Sequence, residues 1–162
     1  MDNFPIEKYY LNLNTFIWVA KMKIDTLAWS DDRLQMIDQR VLPAQIQYIP
    51  FDSAQSVAEG IRSMVVRGAP AIGCAAAYGV ALEAMRLRNA AAPDFSAELN
   101  RGFEVLAQSR PTAVNLFWAL QRMRQVWESI ADASPQIIAE RLLQEAHAVR
   151  AEDIRINQAM GG

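Results

Sequence analysis

The chain has 162 residues, room for one domain or two small ones, and its 52% hydrophobic and 21% charged residues supply enough apolar surface for a core. Seven glycines and seven prolines are too few for a collagen-like, low-complexity or disordered chain. Sixteen Lys and Arg against eighteen Asp and Glu leave a formal charge of −2, without the basic excess that marks nucleic-acid or membrane-surface partners.

At the start, Tyr9 to Ala20 is apolar but interrupted by Asn12 and Asn14. It is too short to span a bilayer and lacks the charged start of a signal peptide. Met22 directly precedes a cleaner alternating segment, so residues 1–22 read as a leader and 23–162 as the domain. Ile24, Leu27 and Trp29 lead into the polar turn Ser30-Asp31-Asp32, followed by Leu34, Met36 and Ile37. Ile46 to Ile49, after Leu42-Pro43 and before Pro50, is another short strand candidate. The pattern predicts a small antiparallel β-meander.

After Pro50 the period changes. Asp52 with Gln55 three residues later has the form of a capping box. Val57, Ile61, Met64 and Val65 then recur at helical spacing, and Gly68 is placed to end that helix as a C-cap. A second helix is predicted from about Pro70 to Leu87, with small residues (Ala71, Gly73, Ala75, Ala76, Ala77, Gly79) that allow close approach of a neighbour. Asp94 is placed to cap a third helix over roughly 95–108, and Ser109-Arg110-Pro111-Thr112 separates it from a fourth over about 113–131. Ser134-Pro135 opens a fifth, with Ile137, Ile138, Leu142, Leu143 and Ala146 as its apolar stripe, running to about Ala159. The fold class is therefore α+β and mostly helical: a β-meander followed by about five α-helices.

Two segments share a chemical plan. Arg67-Gly68-Ala69-Pro70 and Ser109-Arg110-Pro111-Thr112 each place an arginine just before a helix N-terminus. Free N–H groups and the positive pole of the helix dipole favour an anion there, and a guanidinium fork matches phosphate oxygens. Two such starts can hold one phosphorylated sugar from two sides; equally, Gly and Pro are ordinary punctuation and a flanking Arg a solvated side chain. A lone cysteine excludes an internal disulfide or a multi-cysteine metal site, and Cys74 reads as a small buried hydrophobe. His147 reads as a solvated surface residue, Asp31-Asp32 as a turn, and Glu152-Asp153 as a charged helix face. Asn115 is a candidate cleft lining, while Phe117, Trp118 and Trp127 read as core.

RGAPAIGCAAAYGVALEA (67–84) and SRPTAVNLFWAL (109–120) closely resemble the N-terminal region of the S-methyl-5-thioribose-1-phosphate isomerase family. LAWSDDRLQMIDQRVLP (27–43) resembles its opening β segment and EDIRINQAMG (152–161) its inter-domain helix, so the resemblance covers about residues 23–161. Ribose-1,5-bisphosphate isomerases and the regulatory subunits of a translation-initiation nucleotide exchange factor share this layout, the latter as assembly modules. The resemblance implies an aldose–ketose isomerase of methionine salvage, cytoplasmic, using neither metal nor organic cofactor and acting on a phosphorylated thiopentose. Nucleic acid and membrane are not among the partners it implies, and the parent enzyme would be a homodimer. Position by position, Arg67, Gly68, Ala69 and Arg110 would contact substrate. The family's catalytic Cys, in a Thr-His-Cys-Asn type motif, and its catalytic Asp belong to a C-terminal Rossmann-like domain. Neither motif occurs in this sequence, so no catalytic residue is assigned, Cys74 included, and the chain is expected to be the N-terminal domain alone and inactive by itself.

Overall fold

A computed structural model describes residues 25–161; the expected leader, 1–22, and Ile24 lie outside the described residues. Strands β1 (Leu27–Ser30), β2 (Arg33–Ile37) and β3 (Tyr48–Phe51) form an antiparallel sheet in the order β1-β2-β3. Ser30 pairs with Arg33 across Asp31 and Asp32, whose φ angles of 53° and 56° both lie in the left-handed region. A two-residue hairpin needs that conformation to match strand twist, and Asp tolerates it better than most residues. Leu34 and Met36 are fully buried, while Arg33 is exposed, so one face of β2 meets the core. β3 starts two residues later than the expected strand and includes Pro50, paired with Gln35. It is an edge strand, where a missing N–H is tolerated. Ile46 is buried without joining the sheet.

Five helices follow among the described residues: α1 (Ala54–Arg62), α2 (Ala69–Arg86), α3 (Ala92–Ser109), α4 (Val114–Ser129) and α5 (Pro135–Gly161). Three of their ends and one apolar stripe correct local expectations. The N-cap of α1 is Ser53, in a reciprocal capping box with Ser56, not Asp52 with Gln55; Gln55 instead bonds Glu59 one turn on. Gly68 does not end α1: that helix stops at Arg62, Met64 takes the left-handed turn with φ 68°, and Gly68, extended, is the N-cap of α2. α3 begins at Ala92, before Asp94, which sits in its first turn and offers its charge to the dipole there. On α5, Ser134 Oγ accepts the Ile137 N–H at 3.3 Å, as expected of a cap, but Ile137 is exposed while Ile138, Leu142 and Ala146 are buried.

α2 is the axis of the molecule. Residues Ile72 to Ala84 are buried on every side, which requires neighbours all round; its longest seams are with α5 and α4, and α1 and α3 pack on it as well. Small residues set the distances. A Cβ on Gly79 would lie 2.9 Å from Leu106 Cδ2 on α3, and one on Gly73 would lie 3.2 Å from the Asn115 carbonyl oxygen on α4. The sheet is fastened to α2 and α5 by aromatic contacts: Trp29 stacks on Tyr78 at 5.4 Å, and the Tyr78 hydroxyl shares a 2.7 Å hydrogen bond with His147 Nδ1.

Candidate anion-binding site

α2 and α4 begin in the same way. Gly68 and Ala113 are their N-caps; neither offers a capping side chain, and neither helix has an acidic residue in its first turn. Pro70 fits the first turn of α2, where no intrahelical N–H is needed. Ahead of α4 the Ala113 N–H closes a short turn by donating to the Arg110 carbonyl at 3.0 Å. Neither start is therefore closed by a capping side chain or a first-turn carboxylate of its own helix.

The packing of α4 on α2 at Gly73 brings these two starts to one cleft of about 330 Å³. Arg67 and Ala69 line it from the α2 side, and Arg110, Thr112 and Asn115 from the α4 side. Gly68 is not part of the lining; its carbonyl starts α2 by accepting the Ile72 N–H at 2.9 Å. Arg67 is exposed and Arg110 half-buried, and among the described residues neither makes an ion pair. Elsewhere arginines are committed: Arg40 to Asp38, Arg86 to Glu83, and Arg122 to both Glu145 and Glu152. Two uncommitted guanidinium groups at two uncapped helix starts form an anion receptor of the type that takes a phosphate.

A second cleft, of about 360 Å³, meets the first at Asn115, which lines both. Cys74, Trp118, Val149 and Ile156 make its apolar wall, and Glu152 and Asp153 its acidic margin. Here the structure overturns two expectations. Phe117 and Trp118 are exposed, at 42% and 53%, and only Trp127 joins the core, stacked on Phe103. Glu152 and Asp153 line this cleft and are not merely a solvated face. Arg122 fixes the wall from behind, bonding Glu145 Oε2 at 2.6 Å, contacting Glu152 Oε2 at 2.5 Å and lying 5.5 Å from the Trp118 ring centroid. Burial pushes Asp153 above its ordinary carboxylate range. Spacing held the signal for Trp118: Leu116, Leu120, Met123 and Trp127 form the buried stripe of α4, and Trp118 falls off it.

Burial, reinforced by Asp153, pushes the Cys74 thiol up to about 12, so it is protonated at neutral pH and no nucleophile. His147 remains exposed, as expected, but is tied to Tyr78 and lines neither cleft. Among the described residues no three His, Cys, Asp or Glu side chains are grouped to hold a metal ion, and no helix is long and apolar enough to cross a membrane.

Residues 65–162 match the model of the Initiation factor 2 subunit family. The chain is 63% identical over 138 residues to a methylthioribose-1-phosphate isomerase of Albidiferax ferrireducens, covering 85% of this chain and 39% of the relative. It is 49% identical over 140 residues to one from Magnetococcus marinus, again 39% of that protein. The crystal structure of 5-methylthioribose 1-phosphate isomerase from Pyrococcus horikoshii OT3 superposes with a TM-score of 0.82 at 38% identity, over 86% of this chain and 40% of the other. That of translation initiation factor eIF-2B subunit delta from A. fulgidus gives 0.75 at 33% identity, over 82% and 38%. The chain thus spans about two fifths of the length of the relatives it matches.

Proposed function

The chain belongs to the Initiation factor 2 subunit family, and on that premise we propose that residues 23–162 are the N-terminal domain of a cytoplasmic methylthioribose-1-phosphate isomerase. The reaction is the aldose–ketose conversion of S-methyl-5-thio-α-D-ribose 1-phosphate to S-methyl-5-thio-D-ribulose 1-phosphate, in methionine salvage. The observation that carries this reading is the convergence of Arg67 and Arg110, both without ion-pair partners among the described residues, on one cleft at two uncapped helix starts. In this role the two guanidinium groups and the first-turn N–H groups beginning at Ala69 bind the phosphate, and Gly68 serves as the N-cap that starts α2. The domain binds and orients; its buried Cys74 and its tethered His147 move no proton. Proton transfer between C2 and C1 belongs to the part of the relatives that lies outside the matched region, and the complete enzyme is a homodimer working without metal or organic cofactor.

A non-catalytic assembly module is the second reading, favoured by the likeness to the delta subunit and by the exposed Val114, Phe117 and Trp118 on α4. A ligand melt separates the two. At about 100 times its dissociation constant, 5-methylthioribose 1-phosphate stabilises a binding domain by roughly 2.7 kcal/mol. The expected result is a rise in Tm that Arg67→Ala and Arg110→Ala each cut, to about 0.3–1.3 kcal/mol of stabilisation, since a charge-assisted contact contributes about 1.5–3 kcal/mol. No rise with both arginines in place favours the assembly module.

A further inference from the structure

Arg67 is exposed, yet the chain that carries it is held from two sides. Between Arg62, the last residue of α1, and Gly68, the N-cap of α2, Met64 takes the left-handed turn and the Val65 N–H donates to the Gly60 carbonyl at 2.9 Å. Val65 and Val66 then bury their side chains immediately before Arg67. The other tie comes from the connection between β2 and β3: the Gln39 N–H donates to the Val65 carbonyl at 2.9 Å, two residues ahead of Arg67. The Gln39 peptide is itself the middle of a clasp. Buried Asp38 accepts the Arg40 N–H at 3.0 Å and the Arg40 guanidinium at two positions, each 2.9 Å. The Asp38 N–H donates to the Gln47 carbonyl at 2.7 Å and closes the connection from its far end. The hydrogen bonds from Arg40 hold the Asp38 carboxyl below its ordinary range, so the clasp is ionised at neutral pH.

We propose that Asp38 is a positioning residue for the anion site, acting through the Gln39 N–H and the Val65 carbonyl to fix the point from which the Arg67 side chain starts. The inference rests on the phosphosugar reading of the first cleft and adds to it a residue that lines neither cleft. A carboxylate that grips main chain and side chain two residues on fixes the peptide between them. Released, the Gln39 N–H is free to turn to water, and the Val65 carbonyl loses its partner. An arginine side chain carries about 2 kcal/mol of rotamer entropy. A fork that must meet a phosphate therefore gains from a backbone that is already in place. Arg110 is held by other contacts: its carbonyl accepts the Ala113 N–H at 3.0 Å, and the buried Ser109 hydroxyl before it donates to the Leu106 carbonyl at 2.6 Å. Asp38 thus acts on one arm of the receptor and leaves the other alone.

The test is a double-mutant cycle on the 162-residue chain, with affinity for 5-methylthioribose 1-phosphate read by NMR titration, which follows weak binding. Asp38→Ala should weaken binding by about fivefold, part of the roughly ten- to hundredfold that complete loss of a charge-assisted contact costs. In an Arg67→Ala background the same change should cost less than about twofold, while beside Arg110→Ala it should keep its full effect. A purely structural role would lower Tm and leave the affinity of the folded chain unchanged. Where Asp38→Ala does not fold, Arg40→Ala takes its place: that side chain is 46% exposed, and its removal takes away two of the three bonds to Asp38 without opening the core. The same dependence on Arg67 is expected of it. An affinity within about twofold of wild type, or an equal loss with and without Arg67, would overturn the positioning role while leaving the anion site intact. Failure of the wild-type chain to bind, or indifference of binding to both Arg67→Ala and Arg110→Ala, would overturn the phosphosugar reading and the positioning role with it.

Discussion

At the N-terminus of α1, Ser53 Oγ accepts the Ser56 N–H at 3.1 Å, Ser56 Oγ accepts the Ser53 N–H at 3.1 Å, and Glu83 reaches across from α2 to take the Ala54 N–H at 3.1 Å. At the N-termini of α2 and α4 there is no capping side chain and no first-turn acid, and Arg67 and Arg110 line the cleft between them. The same orphan donors are thus closed by the protein in one place and left for something else in another. A good cap contributes about 1 kcal/mol, so two open ends forgo stability that a serine or aspartate would have supplied. The difference is one of closure: α1 is tied down by its own fold, while the α2 and α4 starts carry no side-chain cap, as the proposed anion site requires.

The largest test of the closed end is Glu83→Ala. Its buried carboxylate holds both the Ala54 N–H and Arg86, so its loss should lower unfolding stability by about 2–3 kcal/mol, as for an orphaned buried donor. Urea unfolding measures this, and a midpoint unchanged from wild type would deny that α1 is closed from across the helix pair. Ser53→Ala is expected to cost about 1 kcal/mol by the same measurement, with no change in ligand affinity.

Closing an open end should have the opposite sign. Ala113→Asp installs an N-cap at α4 and should stabilise the chain by roughly 0.5–1 kcal/mol, while removing the Tm rise caused by the phosphosugar. A variant that gains stability and still binds would show that the α4 start is not part of the receptor.

The smallest effect concerns the anchor of the sheet. Burial first, and Arg150 second, lower the His147 value below the usual 6.5, so protonation is easier in the unfolded chain. Its contribution to stability is therefore complete above about pH 6.5 and declines as pH falls toward the folded-state value. His147→Gln should flatten the stability profile between pH 6.5 and the carboxylate range near 4.5, read from thermal melts. An unchanged profile would place that slope on other groups.

The helices, the hairpin turn and the mostly helical class were legible because each depends on residues close in sequence: apolar recurrence fixes the buried stripe, and Asp31-Asp32 supports the left-handed turn. Cap identity was less legible. Asp52 and Ser53 are both good N-cap residue types with a polar residue three positions on, so spacing alone did not choose between them; Ser53 and Ser56 close the box, and Gln55 turns to Glu59. Gly68 looked like an ending and proved to be a beginning, because Met64 had already turned the chain.

By itself the sequence determined that two arginines precede two helices, and that α2 is small enough along its length to be surrounded. Only the tertiary structure decided that Arg67 and Arg110 share a cleft and that Glu152 and Asp153 border a second cleft. The reason is range. Dihedral preference and periodic burial act within a few residues, whereas the meeting of α2 and α4 is set by backbone contact at Gly73 and Asn115, a distance that no local pattern encodes.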